Sequence, residues 1–314
     1  MSHHLRYQSK PWATHHIVSR CIQGFSFLKP TPEIVNACCG VLAYSLHLHR
    51  SVIQLHHYAF LSNHFHLLVS SRDASSLAQF MCHFKGILSR ELGRIHKWQG
   101  PLWQKRYSSE EILDEASLEE LFRYITQNSV KEGLVDHPRE WHGLHGYHTL
   151  IEGRTVTGRR LNRTKFYYAK VRASIRGDSV SASDYTSEYR LLLHPPPMWI
   201  KETTEQLKSR LKRLFDDGIQ EGLGKRKSSA LGMPAVLEQR IYEPRLMKPT
   251  PRPLCRSKCP ESFKAYQVTY LIFKTKYKEA SVALRRSLQR GEFPLQVHFP
   301  EGGIPIFCNR FAYG

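Results

Sequence analysis

The first 150 residues of this 314-residue chain predict an α+β fold, an antiparallel sheet with helices packed on it. Three observations predict it. Strand-length apolar runs alternate with stretches of helical spacing, two of the runs are separated by only a short polar turn, and a helix-capping signature follows the last run. With 41% hydrophobic and 11% aromatic residues the chain has enough apolar surface to bury a real core.

Taken in order, ATHHIVSRCI (Ala13 to Ile22) has strand character, and PEIVNACCGVLAYSLHLH (Pro32 to His49) has helical spacing. SVIQLHHYAF and HFHLLVS follow as two strands, joined through Leu61-Ser62-Asn63, a turn suited to a hairpin. From about Ser75 a second helix carries Leu77, Phe80, Met81, Phe84, Leu88 and Ile95 on one stripe. His83, Lys85, Arg90 and Arg94 lie mostly away from that stripe. PLWQKRYSSEEIL reads as another strand. Ser117-Leu118-Glu119-Glu120 fits a capping box, with Ser117 as the cap of a third helix and Glu120 reaching back. That helix is expected to end at Gly133, with Lys131 near its negative pole. The order β-α-β-β-α-β-α is a ferredoxin-like layout, expected to keep its helices on one face and the histidine-bearing strand in mid-sheet.

Beyond residue 150 the pattern weakens. Residues 151–223 read as a basic accessory region, partly helical, in which KETTEQLKSRLKRLFDDGIQEGL is amphipathic. Residues 224–260 mix proline with lysine and arginine, as an irregular linker would. Residues 261–314 are expected to form a long helix followed by a short hairpin.

Lysine and arginine total 46 against 27 aspartate and glutamate, a net charge of +19. Such a surface fits a polyanion, and nucleic acid is the usual one, because each neutralised phosphate releases counterions. A membrane is the weaker candidate. No apolar run reaches the roughly 20 residues that span a bilayer, and MSHHLRYQSK lacks the apolar core of a secretory signal. A cytoplasmic location is expected. Seven scattered cysteines form no disulfide framework, and Cys255 and Cys259 lack the second close pair of a structural zinc site.

The stretch FLSNHFHLLV carries the chemistry. In a strand, His64 and His66 share one face and Phe65 takes the other, so the two imidazoles can grip one ion. On the third helix Tyr124 and Asn128 are four apart, on a face bordering the apolar stripe of Leu118, Leu121, Phe122 and Ile125. An amide oxygen of Asn128 could join the histidine pair, with the Tyr124 phenol beside the metal. A free tyrosine titrates near a pH of about 10, so this phenol needs a deprotonating influence. The bland readings are structural histidines, a core-edge tyrosine and an ordinary polar asparagine. His56 and His57 are expected on opposite faces of their strand, which would keep both from joining one site.

Three segments carry a family resemblance. LSNHFHLLV, around His64-Phe65-His66, resembles the MPNHxHLLV of single-tyrosine transposases of the HUH endonuclease superfamily. GPLWQKRY resembles their G-x-L-W-Q-x-R-F segment, and YITQNSVKEGLV is similar to the YIxxNPVRAGLV of REP-associated tyrosine transposases. The three occur in family order over roughly the first 150 residues. The resemblance implies an enzyme that nicks and rejoins single-stranded DNA beside hairpins. It implies His64, His66 and Asn128 as ligands of Mg²⁺ or Mn²⁺, and Tyr124 as the nucleophile that becomes joined to a 5′ phosphate. A free 3′ hydroxyl can then attack the phosphotyrosine and rejoin strands. Lys85, Arg90, Arg94, Trp103, Gln104, Lys105, Arg106 and Tyr107 are DNA-binding candidates, the last five because cations beside aromatics suit stacked bases. A bacterial, nucleoid-associated protein is implied, with a homodimer left open. Ser62 and Ser129 stand where the family has prolines, and the second change lets the third helix run on past Asn128. The alternative class is a non-catalytic basic DNA- or RNA-binding module, including a transposase derivative retained by its host.

Overall fold

The computed structural model describes residues 5–244, 253–290 and 297–303. Strand β1 (Ala13–Arg20) is the middle of a five-stranded sheet. It is flanked antiparallel by β3 (His64–Ser71) and β4 (Ser108–Ile112). The hairpin partner of β3, β2 (Ile53–Phe60), closes one edge, and a two-residue strand β7 (Cys255–Arg256) pairs parallel with β4 at the other. Helix α1 (Pro32–Leu48) connects β1 to β2, and α2 (Ala74–Ile95) connects β3 to β4. The order β2-β3-β1-β4 with these crossovers is the ferredoxin-like layout, and the histidine-bearing strand β3 is interior as expected.

Strand alternation decides what covers each face. Ile17, Leu55, Phe65, Leu67 and Val69 point into one core with α1 and α2. Ala59, Leu68 and Ile112 point the other way, against α3 (Glu115–Lys131) and α6 (Thr204–Lys225). The expectation of helices on one face is therefore corrected: both faces carry apolar residues, and both are covered. Helix α6 packs Leu211, Leu214 and Phe215 onto α3, which ties the accessory region to the first half of the chain.

Capping residues set the helix starts. Thr31 accepts from the Ile34 amide ahead of α1, and Asp73 Oδ1 accepts from Ser76 N at 2.7 Å ahead of α2. Helix α3 begins three residues earlier than the Ser117 box predicts, because Asp114 is the cap and accepts from Ser117 N at 2.8 Å. Strand β4 is also shorter than expected. Gly100 takes φ +146°, Pro101 has no N–H to donate, and Trp103 makes only an isolated bridge to Cys21, so the chain up to Arg106 is a loop.

Two features went unpredicted. A second small sheet, β5 (Thr157–Leu161) with β6 (Thr186–Arg190), lies against α1. A Cβ at Gly40 would collide with the Arg159 carbonyl and one at Gly158 with the Cys39 carbonyl, so both glycines are required for this approach. Within the segment read as an irregular linker, α7 (Gly232–Glu238) and β7 are ordered, while residues 245–252 lie outside the described residues. Helices α4 (Gly146–Leu150) and α5 (Arg163–Arg176) complete the middle of the chain, and α8 (Pro260–Gln289) is the expected long helix. The hairpin expected after it falls largely on residues 291–296 and 304–314, outside those described. Among the described residues no helix is long and apolar enough to cross a membrane, and the cysteines are free.

Candidate active site

The β-sheet register assembles the site. In β1, Arg20 pairs with His64 and Val18 with His66, while His16 stands opposite Leu68 on one side and Glu110 on the other. With a period of two, His64, His66, His16, Arg20 and Glu110 share the face turned toward α3. The His64 and His66 rings lie 4.9 Å apart between centroids at 77°. Tyr124 projects onto them from α3, its ring 5.6 Å from that of His66 and 6.1 Å from that of His16. Asn128, one turn further along the same helix, is 2% exposed.

Each histidine of the pair is held at Nδ1. His64 donates Nδ1–H to Asn63 Oδ1 at 2.7 Å, and His66 Nδ1 lies 2.9 Å from His16 Nε2. The buried His66 Nε2 and the buried Asn128 Nδ2 have no hydrogen-bond partner among the described residues. Burial pushes the His64 imidazole down to about 3, reinforced by the positive charges of Arg20 and Lys131. Burial also lowers His66 well below its ordinary value, with His64 and His16 adding to the effect. Both rings are thus neutral at neutral pH, the form that binds metals. Tyr124 moves the wrong way for a nucleophile. Burial raises it, Glu132 and Glu110 add to that, and Arg20 and Arg256 oppose it. Its phenol is protonated at neutral pH and needs further positive charge nearby.

Among the described residues no group of three or more histidine, cysteine, aspartate or glutamate side chains forms a metal site. The candidate set here is different, two imidazoles and an amide. Its donor chemistry fits a divalent cation: two neutral rings, each engaged at Nδ1, and a buried side-chain amide without a partner at its nitrogen. His64, His66 and Asn128 are the residues that would hold the ion.

The DNA-binding candidates separate into two groups. Lys85, Arg90 and Arg94 lie on α2, on the sheet face opposite Tyr124, and Arg94 is paired with Glu91 at 2.9 Å. The 103–107 loop borders the site, since Gln104 N donates to Arg20 O at 2.9 Å. In that loop Gln104, Lys105 and Arg106 are exposed. Its aromatics are turned inward. Trp103 packs edge-on against Phe65, and Tyr107 is 8% exposed with the Arg6 guanidinium 3.7 Å over its ring, so that ring offers no free face to a base.

His56 and His57 correct a sequence expectation. A bulge between Leu55 and His57 turns both toward the α3 face: His56 Nε2 meets Ser70 Oγ at 2.8 Å, and His57 stacks on Phe122 at 4.8 Å. The sequence also hid His16, Arg20, Glu110 and Arg256 as neighbours of the pair. The even-numbered spacing of His16 and Arg20 in β1 was the available signal; nothing marked Glu110 or Arg256, which depend on strand register.

The site is thus a pair of imidazoles on an interior strand of a ferredoxin-like sheet, with a helix-borne tyrosine ring beside one of them. Residues 43–128 match the family of IS200-like transposases, a span from α1 through Asn128 that includes both histidines and Tyr124. The match takes in well under half of the chain and supports a likeness to transposases for that segment. Among solved structures, a REP-associated tyrosine transposase bound to a REP hairpin is 17% identical. That likeness covers 48% of this chain and 86% of that one, with a TM-score of 0.39. A Deinococcus radiodurans R1 protein assigned as a transposase is 16% identical over 40% of this chain and 95% of its own, with a TM-score of 0.29. No curated protein matches the chain.

Proposed function

We propose that the protein is a metal-dependent single-stranded DNA endonuclease and strand transferase that acts through a 5′-phosphotyrosine at hairpin-associated sites. The observation that carries this reading is Tyr124 standing edge-on to His66 at 5.6 Å, beside an imidazole nitrogen without a partner. Residues 1–150 form the catalytic domain, with 151–223 as an accessory region.

In this reading His64, His66 and Asn128 would hold Mg²⁺ or Mn²⁺, which would supply the positive charge that phosphoryl transfer needs. Tyr124 Oη loses its proton to solvent and attacks phosphorus. The bond from phosphorus to the 3′ oxygen breaks, and the leaving strand takes up a proton as a free 3′ hydroxyl. The reverse attack by a 3′ hydroxyl releases Tyr124 and joins strands, so no nucleotide triphosphate is consumed. Arg20 and Lys131 supply fixed positive charge near the phenol, and Gln104, Lys105 and Arg106 hold the incoming strand. Trp103 and Tyr107 shape that loop from within, while Lys85, Arg90 and Arg94 extend the basic surface on the far layer. The protein acts on chromosomal DNA in the bacterial cytoplasm, alone or as a homodimer.

A second reading is a basic DNA- or RNA-binding module without chemistry, which the net charge of +19 fits equally well. Incubating the full chain with hairpin-bearing single-stranded oligonucleotides, with Mn²⁺ or with chelator, separates the two. Cleavage with a covalent adduct, lost on chelation, supports the enzyme. Binding without cleavage across divalent metals supports the module.

A further inference from the structure

The row of side chains leading away from His66 does not end at its neighbour. On the face turned toward α3, four adjacent strands contribute one residue each. Register places Arg256 of β7 opposite Ile112 and so diagonal to Glu110 of β4, and sets Glu110 directly opposite His16 of β1. His16 is diagonal to His66 of β3, which pairs with Val18. The contacts follow the same path. Arg256 Nε and Nη2 lie 3.3 Å from Glu110 Oε2, Glu110 Oε2 lies 3.8 Å from His16 Nδ1, and His16 Nε2 lies 2.9 Å from His66 Nδ1.

We propose that Arg256, Glu110 and His16 form a relay of positioning residues that fixes the tautomer of His66, so that its Nε2 lone pair faces the metal position. It rests on the reading that His66 is a ligand. A neutral imidazole carries its proton on one nitrogen only, and the negative charge of a carboxylate 3.8 Å from His16 Nδ1 favours the proton on that nitrogen. His16 Nε2 is then the acceptor, and His66 must donate Nδ1–H to it. The His66 lone pair is thereby left on Nε2, the buried atom without a partner. Without the carboxylate the chain can invert: His16 donates from Nε2, His66 accepts at Nδ1, and the His66 proton moves to Nε2, where it blocks a cation. Arg256 holds the carboxylate in place from a strand that follows β4 by more than a hundred residues of sequence, so the C-terminal part of the chain shapes the site beyond the matched segment.

Carboxylate partners behind a ligating imidazole commonly matter about 10- to 100-fold in metal affinity. The test uses the full chain labelled with ¹⁵N-histidine, with the His66 signals assigned by substitution. In the metal-free wild type, His66 is expected to carry its proton on Nδ1. Glu110→Leu should shift His66 toward the Nε2-protonated form and weaken Mn²⁺ binding, measured calorimetrically, by about tenfold or more. Glu110→Gln, which keeps a side-chain oxygen beside His16 Nδ1 without the charge, should give an effect between those of the wild type and Glu110→Leu. Arg256→Met, a milder change, should give a smaller shift in the same direction should the leucine variant fail to fold. A wild-type His66 protonated at Nε2, or a tautomer and Mn²⁺ affinity unchanged in Glu110→Leu and Arg256→Met, would overturn the relay. Wild-type protein that binds no Mn²⁺ would refute the metal-site reading instead, while the ring-nitrogen signals still decide the relay.

Discussion

The ring of Tyr124 meets the ring of His66 at 82°, with centroids 5.6 Å apart, across the gap between α3 and the sheet. A helix packed on the face opposite α1 and α2 brings the Tyr124 ring to His66, and the proposed chemistry rests on that approach.

Removing either imidazole should therefore remove metal-dependent cleavage while leaving the fold. His64→Ala and His66→Ala are each expected to cut the nicking rate by at least about 10²-fold, since charge stabilisation at phosphorus is lost. Nicking of a labelled oligonucleotide in Mn²⁺ measures this; activity that survives both the substitutions and chelation would remove the ion from the reaction.

Asp114 joins two parts of the chain. Its Oδ1 caps α3, and its Oδ2 accepts from Ser257 Oγ at 2.6 Å and Lys258 N at 2.7 Å, anchoring the segment ahead of α8. Although burial alone would raise its carboxyl, hydrogen bonds from Ser257, Ser117 and Lys258 hold it down at about 2. A depressed carboxylate stabilises the fold above its unfolded value near 4, and that contribution fades as pH falls through about 2. Asp114→Ala should cost about 1–2 kcal/mol at pH 7, read from urea unfolding. The difference from wild type should vanish in strong acid.

Buried histidines should make the protein sensitive to mild acid. Burial pushes His15 and His145 down to about 3 and His56 down to about 4. The unfolded chain takes up protons at these rings from about pH 6.5 downward while the folded chain does not, so stability is full above that pH and falls below it. Each ring can remove up to about 1.4 kcal/mol per pH unit in that window. Urea midpoints between pH 7 and 5 should drop steeply, and His56→Gln should flatten the slope. A flat profile would mean these rings are protonated in the folded state.

The β5–β6 sheet depends on two missing side chains. Gly40→Ala should push a methyl into the Arg159 carbonyl and cost about 1–3 kcal/mol, as overpacking does. Thermal unfolding monitored by circular dichroism checks it.

Much of the fold was legible in sequence because its elements obey local rules. Period-two and helical spacing placed β1, α1, β2, β3 and α2 within a residue or two of their observed ends. The start of α3 was misplaced because Asp114 and Ser117 are both good caps three residues apart, and only the backbone decides which accepts. The bulge beside His57 was invisible, since a single extra residue changes which way a side chain faces without changing composition. At the site, His64 and His66 share one strand and Tyr124 and Asn128 one helix, so local spacing suffices to pair them. His16, Glu110 and Arg256 join them only through register between strands far apart in sequence, a relationship that no local pattern encodes.

The most direct measurement is mass mapping of the protein recovered from a denaturing gel after reaction with a hairpin-bearing oligonucleotide and Mn²⁺. The peptide containing Tyr124 should carry a 5′-phosphate-linked nucleotide, and Tyr124→Phe should yield no adduct while still binding the oligonucleotide. An adduct on another residue, or cleavage with no adduct at all, would contradict Tyr124 as the nucleophile.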